Sequence, residues 1–130
     1  MPLRGAETSI INVGLTTQIY NWNEQTKLGI TFSSTTGFQL PNSAVRCPNA
    51  SWILLNRWKG LTPEQKETFV PFSPDFVVEL ISSTDDLKKV RENMAEYRDN
   101  GTRLGWLINR NSLSGETVLP EFRLNMQSIW

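Results

Sequence analysis

The chain is 130 residues long and carries 13 basic and 13 acidic side chains, a net charge of zero and an isoelectric point near 6.3. That length fits one domain, residues 1–130, around a single core, and the charge balance lacks the overall positive field of many nucleic-acid binders, leaving room only for a local basic patch. With no histidine and one cysteine, Cys47, it excludes Ser-His-Asp and Cys-His catalysis, His- or Cys₄-ligated zinc and an intramolecular disulfide.

Chemistry would have to run on carboxylates, amides, lysines and a hard, oxygen-loving metal such as Mg²⁺. No apolar run approaches the roughly 20 residues of a membrane span, and the first residues lack the apolar core of a signal peptide. A soluble, cytoplasmic protein is the expectation.

In chain order, Ile11, Leu15, Ile19 and Trp22 fall at helical spacing within residues 7–22. Gly14, Thr16 and Thr17 are weak helix formers, so packing has to hold this helix. Glu7 stands at its start, where the helix dipole favours a carboxylate. Gly29–Ser33 and Gly37–Pro41 flank a Ser-Thr-Thr stretch and read as a hairpin of two short strands. Residues 50–55 read as a third strand. A short helix follows within 61–69, with Thr62 as N-cap and Pro63 at its first position.

The segment from Phe76 to Ile81 is the centre of the chain. It is a near-continuous apolar run, as in a strand covered on both faces, and Glu79 interrupts it. Burying a carboxylate there costs several kcal/mol, roughly, unless it is paired, protonated or metal-bound. Ser83 or Thr84 is expected to cap the next helix, whose Leu87, Val90, Met94 and Tyr97 make one apolar stripe ending at Asn100-Gly101. Residues 104–108 read as a strand parallel to the Glu79 strand. The tail from Leu119 reads as an extended piece and a last helical turn. The fold class is therefore α/β or α+β: a mixed sheet flanked by helices, in the order αβββ(α)βαβ, with the Glu79 strand as the fourth. Pro74-Asp75 cannot share a metal with Glu79, because four residues along a strand span about 13 Å. Cys47, beside Pro48, is expected to be a packed small residue rather than a reactive thiol.

Several stretches carry a family resemblance: Trp22–Pro41, Val45–Ile53, Pro74–Ser82, Asn93-Met-Ala-Glu-Tyr97 and Gly101–Ile108. In this order they resemble the Uma2 family of restriction endonucleases, within the PD-(D/E)XK nuclease superfamily. The resemblance implies a restriction-endonuclease-like fold and DNA hydrolysis with Mg²⁺ or Mn²⁺. It gives Glu79 the role of the acidic metal ligand on the central strand, and it places Ile81 where the superfamily's strand lysine would stand.

Two positions depart from the family pattern. The metal-binding Asp of the family's Pro-Asp is Asn49 here, and the helix lysine before Met-x-x-Tyr is Asn93. Asn49 can offer a metal an oxygen but no charge, and Asn93 cannot act as a cation. Lys89, one turn earlier on the same helix face, is the surrogate. The candidate site is thus Glu79 and Asn49 as metal ligands, with Asn93 and Lys89 as the helix positions. The alternative is a catalytically silent domain of the same fold, kept for binding or structure. Relatives of the family also carry an N-terminal extension and a C-terminal hairpin that this sequence lacks, and a homodimer would cover the surface that they leave open.

Overall fold

The computed structural model describes residues 5–81 and 85–109. The expected caps at Ser83 or Thr84, and all expectations for the tail, lie outside the described residues. Helix α1 (Ala6–Thr26) leads to β1 (Gly29–Phe32), β2 (Phe38–Gln39), β3 (Val45–Arg46) and β4 (Ala50–Leu54). Two short helices follow, α2 (Leu55–Lys59) and α3 (Pro63–Glu67), then β5 (Phe76–Ile81), α4 (Leu87–Asp99) and β6 (Leu104–Asn109).

Among the described residues the main sheet has the order β1-β4-β5-β6. β4 runs antiparallel to β1 and β5, whereas β6 runs parallel to β5, with Glu79 opposite Leu107. The mixed sheet with helices on both faces is the expected fold class. α1 covers one face through Ile11, Leu15, Ile19 and Trp22, all buried against Trp52, Phe76, Val78 and Trp106. Each such fully buried large side chain contributes about 1.5–3 kcal/mol. The other face carries Ile53 and Val77, packed with Phe38, Leu40 and Tyr97 of α4.

One polar contact fixes α1 on the sheet. Asn23 is buried, and its Oδ1 accepts hydrogen bonds from Gly29 N–H and from Trp52 Nε1–H, each at 3.0 Å. A Cβ on Gly29 would lie 2.0 Å from the Ile53 carbonyl oxygen and 2.5 Å from the Trp52 ring. Only glycine fits where β1 crosses Trp52 this closely.

Four expectations need correction. β1 and β2 do not form a hairpin: β1 pairs with β4, while β2 pairs with β3 and bridges to Val70. The two residues of β3 make the Glu79 strand the fifth rather than the fourth. They escape a periodicity reading because two residues carry no period. The strand from Ala50 ends at Leu54, and Leu55 opens α2. Cys47 is exposed; Pro48 takes the fully buried place beside it.

The stripe on α4 is also narrower than its spacing suggests. Leu87 is exposed, Val90 and Met94 are half-buried, and Tyr97 is buried. Asp86 caps this helix by accepting from Lys88 N–H, and Gly101, at φ 113°, follows its last turn as expected. Thr62 and Pro63 start α3 as the sequence indicates, with a reciprocal capping box between Thr62 and Gln65.

Candidate functional site

β5 is apolar because it is buried on both sides, and Glu79 is its half-buried interruption. Alternation along the strand puts Glu79 on the same face as Val77, under α4. The β4–β5 register, Ala50 opposite Val78, continues to bring Asn49 opposite Glu79. The two residues interlock. Asn49 N–H donates to Glu79 Oε1 at 3.2 Å, and Leu80 N–H donates to Asn49 Oδ1 at 2.9 Å. Asn49 is 4 % exposed, so its amide extends the ladder where β4 begins.

The helix candidates stand differently. Asn93 is half-buried on α4 and Lys89 is exposed one turn earlier. Neither side chain makes a hydrogen bond to Glu79 or Asn49 among the described residues. The charge of Lys89 is instead felt by Glu96. Ile81 ends β5 half-buried.

Tyr97, Arg46, Glu96 and Asn42, on α4 and the β2–β3 hairpin, were not assigned to the site from sequence. Tyr97 is 2 % exposed. Burial first, and then the negative charge of Glu79, push its phenol far above the ordinary tyrosine range. A neutral hydroxyl therefore sits within electrostatic reach of Glu79. Arg46 Nε donates to Glu96 Oε1 at 2.6 Å, and Asn42 Nδ2 donates to Glu96 Oε2 at 3.0 Å. Partial burial acts to raise the pKa of Glu96. The two hydrogen bonds and the charges of Arg46 and Lys89 outweigh it and hold the carboxyl below its usual range. The same loop is fastened a second time, where Asn42 N–H donates to Asn100 Oδ1. Both clamps tie the β2–β3 hairpin to α4, a pairing of distant residues with no sequence period to reveal it.

Asp75 is not part of this group. Its Oδ1 accepts from Arg57 Nη1 at 2.8 Å and its Oδ2 from Leu54 N–H at 2.9 Å, with the side chain 7 % exposed. It closes the opposite end of β4, in keeping with the distance argument from sequence.

The donor set can be tested against a divalent metal. Mg²⁺ prefers near-octahedral oxygen ligation anchored by carboxylates. Among the described residues no three acidic, Cys or His side chains gather to hold an ion. Glu79 is a single carboxylate, and the amide oxygen of Asn49, which accepts from Leu80 N–H, adds no second negative charge. The described residues do not fit a Mg²⁺ site of that kind.

Comparison with known proteins bears on the fold and the ancestry. The family described as Uma2, putative restriction endonuclease, matches residues 1–127. A crystal structure of a putative nuclease of DUF820 from Anabaena variabilis superposes with a TM-score of 0.69 at 20 % identity. The match covers 85 % of this chain and 60 % of that one, so the chain spans less than two thirds of the length of this structural relative. No curated protein sequence matches the chain. Among the described residues no helix is long and apolar enough to cross a membrane.

Proposed function

Because the chain belongs to the Uma2 family of putative restriction endonucleases, we propose that it is a nuclease-fold domain that engages DNA without hydrolysing it. The observation that carries this reading is the state of Asn49. The amide stands where the family resemblance puts a metal-binding carboxylate, and its oxygen, which accepts from Leu80 N–H, carries no negative charge. Glu79 then keeps the position of a metal ligand without the second negative charge that a hydrolytic Mg²⁺ or Mn²⁺ centre draws on. Asn93, in place of the helix lysine, removes the cation that would position or deprotonate the attacking water. In this proposal residues 1–130 act as one domain of the PD-(D/E)XK type.

A second reading, residual metal-dependent hydrolysis, is favoured by one observation. Asn49 and Glu79 are still held side by side, and Lys89 lies on the α4 face that carries Asn93. Plasmid nicking in Mn²⁺ separates the two. The silent reading expects no cleavage by the wild type and some cleavage by Asn49→Asp/Asn93→Lys. Wild-type cleavage that disappears in Glu79→Ala would overturn it in favour of the second reading.

The homodimer belongs to the same proposal. Between Glu7 and Glu24, α1 carries no charged residue, and its outward Ile10, Val13 and Tyr20 are 71 %, 64 % and 52 % exposed. Spaced i, i+3 and i+10, they form a seam on which a second copy's α1 can lie without like-charge repulsion.

A further inference from the structure

On the far side of α4 from the Arg46–Glu96 clamp runs a groove of about 370 Å³, between the helix and β6. Its floor is apolar, formed by Met94, Gly105 and Leu107, and its rim carries Arg91, Arg98 and Arg103. Among the described residues no acidic side chain lines it. Arg91 and Arg98 are seven residues apart on α4, which places them on one helix face about 10 Å apart along the axis. Arg103 adds a third guanidinium from the start of β6.

In a chain of zero net charge, this concentration of one sign needs a reason. All three arginines are exposed. Among the described residues neither Arg91 nor Arg103 has a carboxylate partner. Arg98 reaches only Asp99, at 3.4 Å with both side chains largely exposed, a pairing of little worth. The floor is shaped by Gly105: a Cβ there would stand 2.6 Å from Met94 Cε, so a side chain would displace the thioether that lies over it. The groove falls in the size range of small-ligand sites.

An arginine rim over an apolar floor suits a ligand that is anionic at one end and flat and apolar at the other. Guanidinium groups bind phosphate bidentately, and a thioether makes favourable contacts with aromatic rings. We propose that the α4–β6 groove binds a nucleotide unit of single-stranded DNA, with phosphate on Arg91, Arg98 and Arg103 and the base on Met94 and Leu107. This rests on the reading of the chain as a DNA-engaging domain and gives that reading a second contact surface, separate from Glu79.

The test is fluorescence anisotropy of a labelled mixed-sequence single-stranded oligonucleotide over a range of salt. Arg91→Glu/Arg103→Glu is expected to weaken binding on the order of tenfold and to reduce the salt slope by about 1.4, as for two lost phosphate contacts. Lys59→Glu/Lys66→Glu, on α2 and α3, makes the same change in net charge and is expected to shift affinity less than twofold. dAMP is expected to displace the oligonucleotide at lower concentration than inorganic phosphate. Equal weakening by both double variants, or equal competition by dAMP and phosphate, would overturn the groove assignment. Wild-type binding that the arginine variant leaves unchanged would overturn the groove alone. A wild type that binds no oligonucleotide, single- or double-stranded, would remove the DNA reading itself. Circular dichroism checks folding, and Arg91→Gln/Arg103→Gln keeps the test decisive should the glutamates unfold the chain.

Discussion

Asn49 and Glu79 are bound to each other's strands in both directions. The Asn49 backbone donates to the Glu79 carboxylate, and the Asn49 side chain accepts from the residue after Glu79. Removing that side chain strands a buried N–H on Leu80. Asn49→Ala should therefore cost about 1–3 kcal/mol in urea denaturation. Asn49→Asp can accept the same bond and should stay within about 1 kcal/mol of wild type. Its second carboxylate beside Glu79 should also create a measurable thermal shift with Mn²⁺, which the wild type lacks.

Asp75 gives the opposite expectation, because its charge is fully used within the fold. Asp75→Ala leaves Arg57 and Leu54 N–H without their acceptor and should cost about 3 kcal/mol. Oligonucleotide binding, measured below the unfolding transition, should not change.

Acid should loosen the hairpin clamp. The folded pKa of Glu96 lies below its ordinary 4.5, so the unfolded chain holds its proton more tightly. The clamp's contribution is full above that value and fades as pH falls through the folded one. Both partners are partly exposed, so the contribution is about 1 kcal/mol at most. Glu96→Gln should accordingly be less stable than wild type at pH 7 and converge with it as pH falls through the folded pKa of Glu96.

Tyr97 acts at the other end of the scale. Its folded pKa is raised above the ordinary 10.0, so its contribution is intact below pH 10 and is lost as pH rises further. Stability should then fall by up to about 1.4 kcal/mol per pH unit for this one proton. Tyr97→Phe should lack that share of the alkaline loss, and the difference between the two unfolding curves isolates it from Tyr20 and the lysines.

For α1, light scattering at rising concentration should show a dimer of the wild type. Val13→Lys/Tyr20→Lys should abolish it without changing the circular dichroism spectrum. A wild type that stays monomeric at all concentrations would remove the dimer from the proposal.

Much of this architecture is legible in the sequence, and the legible parts share a cause. α1, β5 and β6 are governed by repeated burial: Ile11, Leu15, Ile19 and Trp22 recur every turn, and β5 is apolar on both faces. Caps are equally legible, as at Thr62-Pro63, because they depend on neighbours in sequence. What failed depends on distant partners. Gly29–Phe32 reads as half a hairpin until Trp52 and Ile53 claim it, and Val45-Arg46 is too short for any pattern. In the candidate site, Glu79 and Asn49 could be placed by motif. The Arg46–Glu96 ion pair and the nearness of Tyr97 to the charge of Glu79 could not, because each joins residues with no common period.

The amide of Asn23 has a consequence for how the molecule assembles. A single oxygen serves donors from two other elements, Gly29 at the start of β1 and the indole of Trp52 in β4. Neither bond can form in its final geometry until helix end and strand pair are all in place, so this oxygen works as a coincidence detector for three segments. The Gly29 amide and the Trp52 indole, each corrected for its own intrinsic exchange rate, should then report one common opening free energy, that of the whole unit. Fraying of α1 that stops short of Asn23 would leave both protected.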